Sequence, residues 1–344
     1  MRLCRASSLR MIPARSLAGD DSPPAGACMA DPLLRIESLR VQFGTLLAVD
    51  DVSFELRAGE LLGMIGQNGA GKTTTLRAAA GLQPVTTGRI ELMGCDVFRM
   101  PTRVGRHLAF TPDTPAVYDA ITVEEFLQFI GRCYGMTPRR TDEAIDHWLE
   151  QLWLTEKRKS KISALSRGMR QRLAVARSLL PDPHVLLMDE PAAGLDPAGR
   201  VQFREMLANL RDQGKAIIVS SHILADLAEY CTHVAIMGHG KLVQYGTVAA
   251  IAGGDQQERV RYRVVFAEPV GDARSRLERI PHLAGNESVR LADHELIFDY
   301  DVDRRAAAEL LRQLIEAGFP VAAFEPLTPD LEQAYLRTGI RQVD

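Results

Sequence analysis

Gly66-Gln67-Asn68-Gly69-Ala70-Gly71-Lys72-Thr73 is the stretch that decides how this chain is read. An apolar run, Leu61-Leu62-Gly63-Met64-Ile65, leads into it, and a helical pattern, Thr74-Thr75-Leu76-Arg77-Ala78-Ala79-Ala80, leads out. Strand, glycine loop and helix at G-x-x-x-x-G-K-[ST] spacing are the context of a phosphate-binding loop. The residue types suit an anion. Glycines let the backbone curl until successive N–H groups point inward, and the helix N-terminus adds the positive end of its dipole. Lys72 is then placed to reach β- and γ-phosphates, and the Thr73 hydroxyl to ligate magnesium. Gly66, Gln67, Asn68, Gly69, Ala70, Gly71, Lys72, Thr73 and Thr74 are the expected contacts of a nucleoside triphosphate.

Two downstream segments extend the chemistry. Asp189-Glu190-Pro191 closes the apolar run His184-Val185-Leu186-Leu187-Met188. Strand C-termini are where open α/β sheets place ligands, and paired carboxylates there are costly unless a cation is near. Asp189 is expected to hold magnesium through a water, and Glu190 to be the general base that deprotonates the attacking water. Leu165-Ser166-Arg167-Gly168-Met169 precedes a run, Arg170–Leu180, with apolar residues at helical spacing. Ser166 and Gly168 thus stand at a helix start, with backbone donors facing outward.

Further out, Leu34–Leu39 and Val52–Leu56 alternate like half-buried antiparallel strands, whereas His184–Met188 and Ala216–Ser220 are continuous apolar runs suited to a parallel sheet buried on both faces. Between these groups, Thr122 to Leu180 reads as a largely helical insertion. Gly253-Gly254-Asp255 marks a boundary. Beyond it the order strand, helix, two strands, helix, strand predicts a small ferredoxin-like α+β domain, with a short helix near Leu331–Leu336 to end the chain. The expected fold is an α/β P-loop NTPase core with an antiparallel β subdomain and a helical subdomain, followed by that small domain. Its expected boundaries are 29–253 for the nucleotide-binding part and 258–344 for the accessory part.

The 344 residues are 46% hydrophobic and 25% charged, with a formal net charge of −3. No dense Lys/Arg tract offers a footprint for nucleic acid, so no nucleic-acid partner is expected. No apolar run approaches the roughly eighteen residues needed to cross a bilayer. Five scattered cysteines without CxxC spacing fit reduced thiols in a cytoplasmic protein. Residues 1–28 carry four arginines before the first acidic residue, Asp20, and end in a Ser22-Pro23-Pro24-Ala25-Gly26 linker. They read as a disordered leader, either an organellar transit peptide or a stretch upstream of a true start at Met29.

In combination these segments resemble the ATP-binding cassette (ABC) family of transporter ATPase subunits, across about Leu33 to Ala252. Gly66–Thr73 matches its Walker A loop, Val185–Glu190 its Walker B with the catalytic glutamate, and Leu165–Met169 is similar to its LSGGQ signature. Gly194-Leu195-Asp196-Pro197 resembles the D-loop, and His222, following Ile217–Ser221, stands at the switch histidine that senses the γ-phosphate. Phe43, in Gln42-Phe43-Gly44, falls at the aromatic position that stacks on adenine. The resemblance implies Mg-ATP hydrolysis in a sandwich homodimer, with Ser166 and Gly168 acting in trans. It also implies a separate integral membrane permease as partner and a cytoplasmic location on the inner face of the membrane. The C-terminal domain and Leu327–Leu336 resemble subunits of two-component drug and polysaccharide exporters.

Two departures stand out. The signature's second glycine is Arg167 and its glutamine is Met169, and the Q-loop glutamine is replaced by Asp113, shorter and negatively charged. Asp113 is the expected third ligand near magnesium. The rival reading is a soluble ABC-type ATPase acting on ribosomes or DNA. One phosphate loop, no heptad run and a slightly acidic balance speak against it.

Overall fold

The computed structural model describes residues 31–115, 117–221, 227, 229–251, 259–283, 286, 288–301 and 304–326. The leader, His222 and the C-terminal helix expected near Leu331–Leu336 lie outside those residues.

The chain opens with β1 (Leu34–Phe43), β2 (Leu46–Leu56) and β3 (Leu61–Ile65), followed by α1 (Lys72–Ala79). Next come β4 (Thr87–Leu92), β5 (Cys95–Asp96), α2 (Pro101–Val104) and β6 (Leu108–Thr111). A helical stretch holds α3 (Val123–Cys133), α4 (Pro138–Gln151) and α5 (Arg167–Leu179). The chain then returns to the sheet through β7 (Val185–Asp189), α6 (Pro197–Asp212), β8 (Ala216–Ser221), β9 (His233–Gly238) and β10 (Lys241–Thr247).

These strands form an antiparallel sheet in the order β2-β1-β4-β5 and a second sheet in the order β10-β9-β3-β8-β7-β6. In the second, β9, β3, β8, β7 and β6 run parallel and β10 is antiparallel to β9. Every residue of β3 and β7 is buried, as their uninterrupted apolar composition requires. Their side chains alternate between two cores. Leu61, Ile65, Leu186, Met188, Ile217 and Val219 join α3–α6 on one face. Leu62, Met64, Val185, Leu187 and Ile218 join β1, β2, β4 and α1 on the other. Period-two geometry makes one strand serve both.

The helices are begun by their own side chains. Thr122 and Glu125 form a reciprocal capping box on α3. Thr137 caps α4 ahead of Pro138, and Ser166 caps α5 by accepting from Met169 N at 3.3 Å. Helix α4 ends unusually. Trp153 N donates to Glu150 O at 3.2 Å and Leu154 N to Leu149 O at 2.8 Å, the paired bonds of a Schellman motif, with Trp153 at φ 53°. Glycine is the usual occupant, because a side chain in the left-handed region costs about 1–2 kcal/mol.

The last part comprises β11 (Arg259–Phe266), α7 (Ala273–Leu277), β12 (Arg290–Ala292), β13 (Glu295–Asp301), α8 (Arg304–Glu316) and β14 (Val321–Pro326). Its antiparallel sheet has the order β12-β13-β11-β14, the ferredoxin-like arrangement expected from the sequence. Tyr262, Val264, Leu296, Phe298 and Leu310 build a core of its own.

Candidate active site

The loop between β3 and α1 is held by glycines where backbone approaches backbone. Gly69 and Gly71 have φ of 81° and 99°, in the left-handed region. A Cβ on Gly66 would fall 2.5 Å from the Met237 carbonyl of β9, and one on Gly71 would fall 2.7 Å from the Ala48 carbonyl of β2. The resulting curl folds Lys72 back over its own loop. Lys72 Nζ donates to Gly66 O at 2.5 Å and Gln67 O at 3.1 Å. Burial pulls the Lys72 amine below its ordinary pKa, while the charges of Glu190 and Asp189 pull it part of the way back. Lys72, Asp189 and Glu190 therefore share one electrostatic neighbourhood.

Asp189 ends β7 and is buried. Its Oδ1 accepts from Ser220 Oγ at 2.5 Å, and the same Ser220 Oγ accepts from Glu190 N at 2.9 Å. Glu190 itself has φ 46°. One hydroxyl on β8 thus fixes the turn at which both carboxylates leave the sheet. In the sequence the signal for Ser220 is slight, a polar residue closing an apolar buried run.

A cavity of about 950 Å³ is lined by Thr73, Asp189, Asp113, Phe110, Tyr134 and Arg177 among others. Thr73, Asp189 and Asp113 bring a hydroxyl and two carboxylates to it, the hard oxygen donors that magnesium takes, so the residues fit that ion. Arg177 Nη2 donates to Phe110 O at 2.9 Å, steadying the end of β6 from which Asp113 leaves. Glu190 lines a different space, of about 220 Å³, with Gly194, Arg200, Ser220 and Ser221.

The other candidates lie further away. Phe43 ends β1, paired with Leu46 and 46% exposed, as a stacking platform needs. Ser166 and Gly168 open α5, and Gly168 is pressed against the following loop: a Cβ there would lie 2.9 Å from Gly194 O. Asp196 caps α6 by accepting from Gly199 N at 3.3 Å.

The ABC transporter family pattern matches residues 49–193, across both the glycine loop and the β7 carboxylates. The ABC transporter ATP-binding protein YxlF of Bacillus subtilis is 34% identical over 89% of this chain and 99% of its own length. The Nod factor export ATP-binding protein I of Ralstonia nicotianae is 32% identical over 94% of this chain and 98% of its own. The solved structure of an ATP-binding subunit of an ABC transporter superposes with a TM-score of 0.61 at 29% identity, covering 65% of this chain and 95% of that one.

The chain belongs to the ABC transporter ATP-binding family. It is an ABC ATPase, and its core has the P-loop NTPase fold expected of that family. In an ABC subunit the transmembrane path is supplied elsewhere, and no helix among the described residues here is long and apolar enough to cross a membrane. Phe126 is buried in the helical core, because its place on the apolar face of α3 packs it inward. Tyr118 and Phe129 remain exposed, with ring centroids 6.2 Å apart.

Proposed function

We propose that this ABC subunit hydrolyses Mg-ATP between two copies of itself and drives export through a separate integral membrane permease. The observation that carries the reading is the buried Lys72 amine, bound to the carbonyls of a glycine loop and flanked electrostatically by Asp189 and Glu190. Such a cation is poised for exchange of carbonyl partners for phosphate oxygens. Gly66 to Thr74 cradle the phosphates, and Phe43 stacks on the base. Thr73, Asp189 and Asp113 would hold magnesium, which neutralises charge on the phosphates when bound.

Glu190 takes a proton from the attacking water as its oxygen bonds to the γ-phosphorus. The bond from that phosphorus to the β–γ bridging oxygen breaks, releasing ADP and phosphate. His222 contacts the γ-phosphate, and Ser166, Gly168 and Asp196 complete the site from the second copy. Export draws support from the relative named for Nod factor export. Tyr118 and Phe129 are candidate contacts for the permease.

The test is co-expression with a candidate permease taken from a gene beside this one. The expected outcome is transfer of the chain to the membrane fraction and a changed ATPase rate on reconstitution. Sedimentation with ribosomes despite that partner would overturn the transporter reading.

A further inference from the structure

Trp153 occupies a position where helix ends favour glycine. A bulky residue holds the left-handed region rarely, and where it does the surroundings over-determine it. Burial is not what holds Trp153, for the residue is 44% exposed. Its ring lies instead against Arg172, whose Cζ is 5.4 Å from the ring centroid. Arg172 belongs to α5, in the second turn after Ser166. Its Nη2 lies 3.5 Å from Asp196 Oδ1, the same oxygen that accepts from Gly199 N to cap α6. A Cβ on Gly199 would fall 2.6 Å from both Arg172 Nη2 and Asp196 Oδ1, so the pair would have to shift to admit one. With Gly168 pressed on the Gly194 carbonyl, α5 meets the loop after Glu190 at two separate points.

We propose that Arg172 is a positioning residue for the Asp196 loop, and that the Trp153 ring holds its guanidinium in place. A planar guanidinium can lie on an aromatic face and offer its N–H edge to a carboxylate at once, which an ammonium cannot reproduce. Arg172 touches no reacting atom. It makes the start of α5 and the loop ending at Asp196 move as one body, so that both reach a second copy's nucleotide together. The inference rests on the reading that Ser166 and Asp196 act across a dimer. The unfavourable φ at residue 153 is retained because glycine would leave Arg172 without its platform.

Trp153→Gly separates the two roles in the full-length protein. It relieves the backbone, so the melting temperature is expected to hold or rise. The kcat for Mg-ATP is expected to fall about five- to tenfold, with KM changed less than twofold. In the Glu190→Gln background, the Mg-ATP concentration needed for half-maximal dimer in gel filtration should rise by a similar factor. Trp153→Phe keeps a ring and should restore most of kcat while leaving the backbone cost. Combining Trp153→Gly with Arg172→Gln should be no worse than Arg172→Gln alone. A kcat and dimerisation midpoint within twofold of wild type in Trp153→Gly, or additive losses in the double variant, would overturn the proposal. Those outcomes leave wild-type hydrolysis and dimerisation intact, whereas failure of the underlying reading would show as a wild-type chain that never dimerises on Mg-ATP.

Discussion

On the proposed function, Lys72 is a binding residue prepared by an unfavourable burial. Its depressed pKa means that the unfolded chain holds its proton more tightly than the folded one. Stability therefore rises with pH as the amine is titrated, and burial costs stability while the amine is charged. Phosphate oxygens offer that charge better partners than the carbonyls of Gly66 and Gln67. Lys72→Ala is expected to weaken Mg-ATP binding about tenfold to a hundredfold, since charge-assisted contacts are worth roughly 1.5–3 kcal/mol each. Isothermal titration measures this directly, and an unchanged Kd would remove Lys72 from the phosphate site. Glu190→Gln should behave differently. It keeps the shape of the turn that Ser220 fixes and loses the base, so ATP binds while turnover drops about a hundredfold or more. Near-wild-type turnover would take Glu190 out of that role.

Among elements, the ends of β6 and β7 away from the glycine loop carry a histidine pair. His107 and His184 face each other with Nδ1 atoms 3.3 Å apart, and Lys215 donates to Asp182 beside them at 2.6 Å. Burial, then His107 and Lys215, hold the His184 pKa below its ordinary 6.5, with Asp182 opposing. A histidine depressed in the fold binds its proton more readily when unfolded, so stability is lost as pH falls below about 6.5. His184→Asn should flatten the decline of melting temperature between pH 6.5 and pH 5, and an unchanged slope would show that other groups dominate. How legible each element is depends on its burial. β7 and β8 announce themselves as apolar runs because both faces are covered, and the glycine loop because its chemistry tolerates few residue types. β10 has no buried residue by contrast, and β4 starts with three exposed positions, so neither shows an apolar period in the sequence. The turn at Trp153 hides for a different reason. Its backbone is glycine-like while its residue is not, and Arg172 reads as one more charge on the polar side of α5.

For the molecule as a whole, the three apolar clusters predict how it comes apart. The first two share the strands of one sheet and so unfold together, whereas the core around Val264, Leu296 and Phe298 has no residue in either. Calorimetry should resolve two transitions, and Mg-ATP should raise only the one belonging to the nucleotide-binding part. A single transition that moves with Mg-ATP as a unit would show the two parts to be energetically fused. The seam between the two sheets of the larger part has a consequence of its own. Gly71 sits against Ala48 of β2, Gly66 against Met237 of β9, Asp50 N donates to Gly240 O at 2.8 Å, and Tyr245 Oη donates to Glu55 O at 2.6 Å. The glycine loop is thus a wedge seated against backbone of both sheets. Damage to it should travel. Gly71→Ala is expected to speed amide deuterium exchange along β1, β2, β9 and β10, well beyond the loop itself, while β13 keeps its wild-type protection.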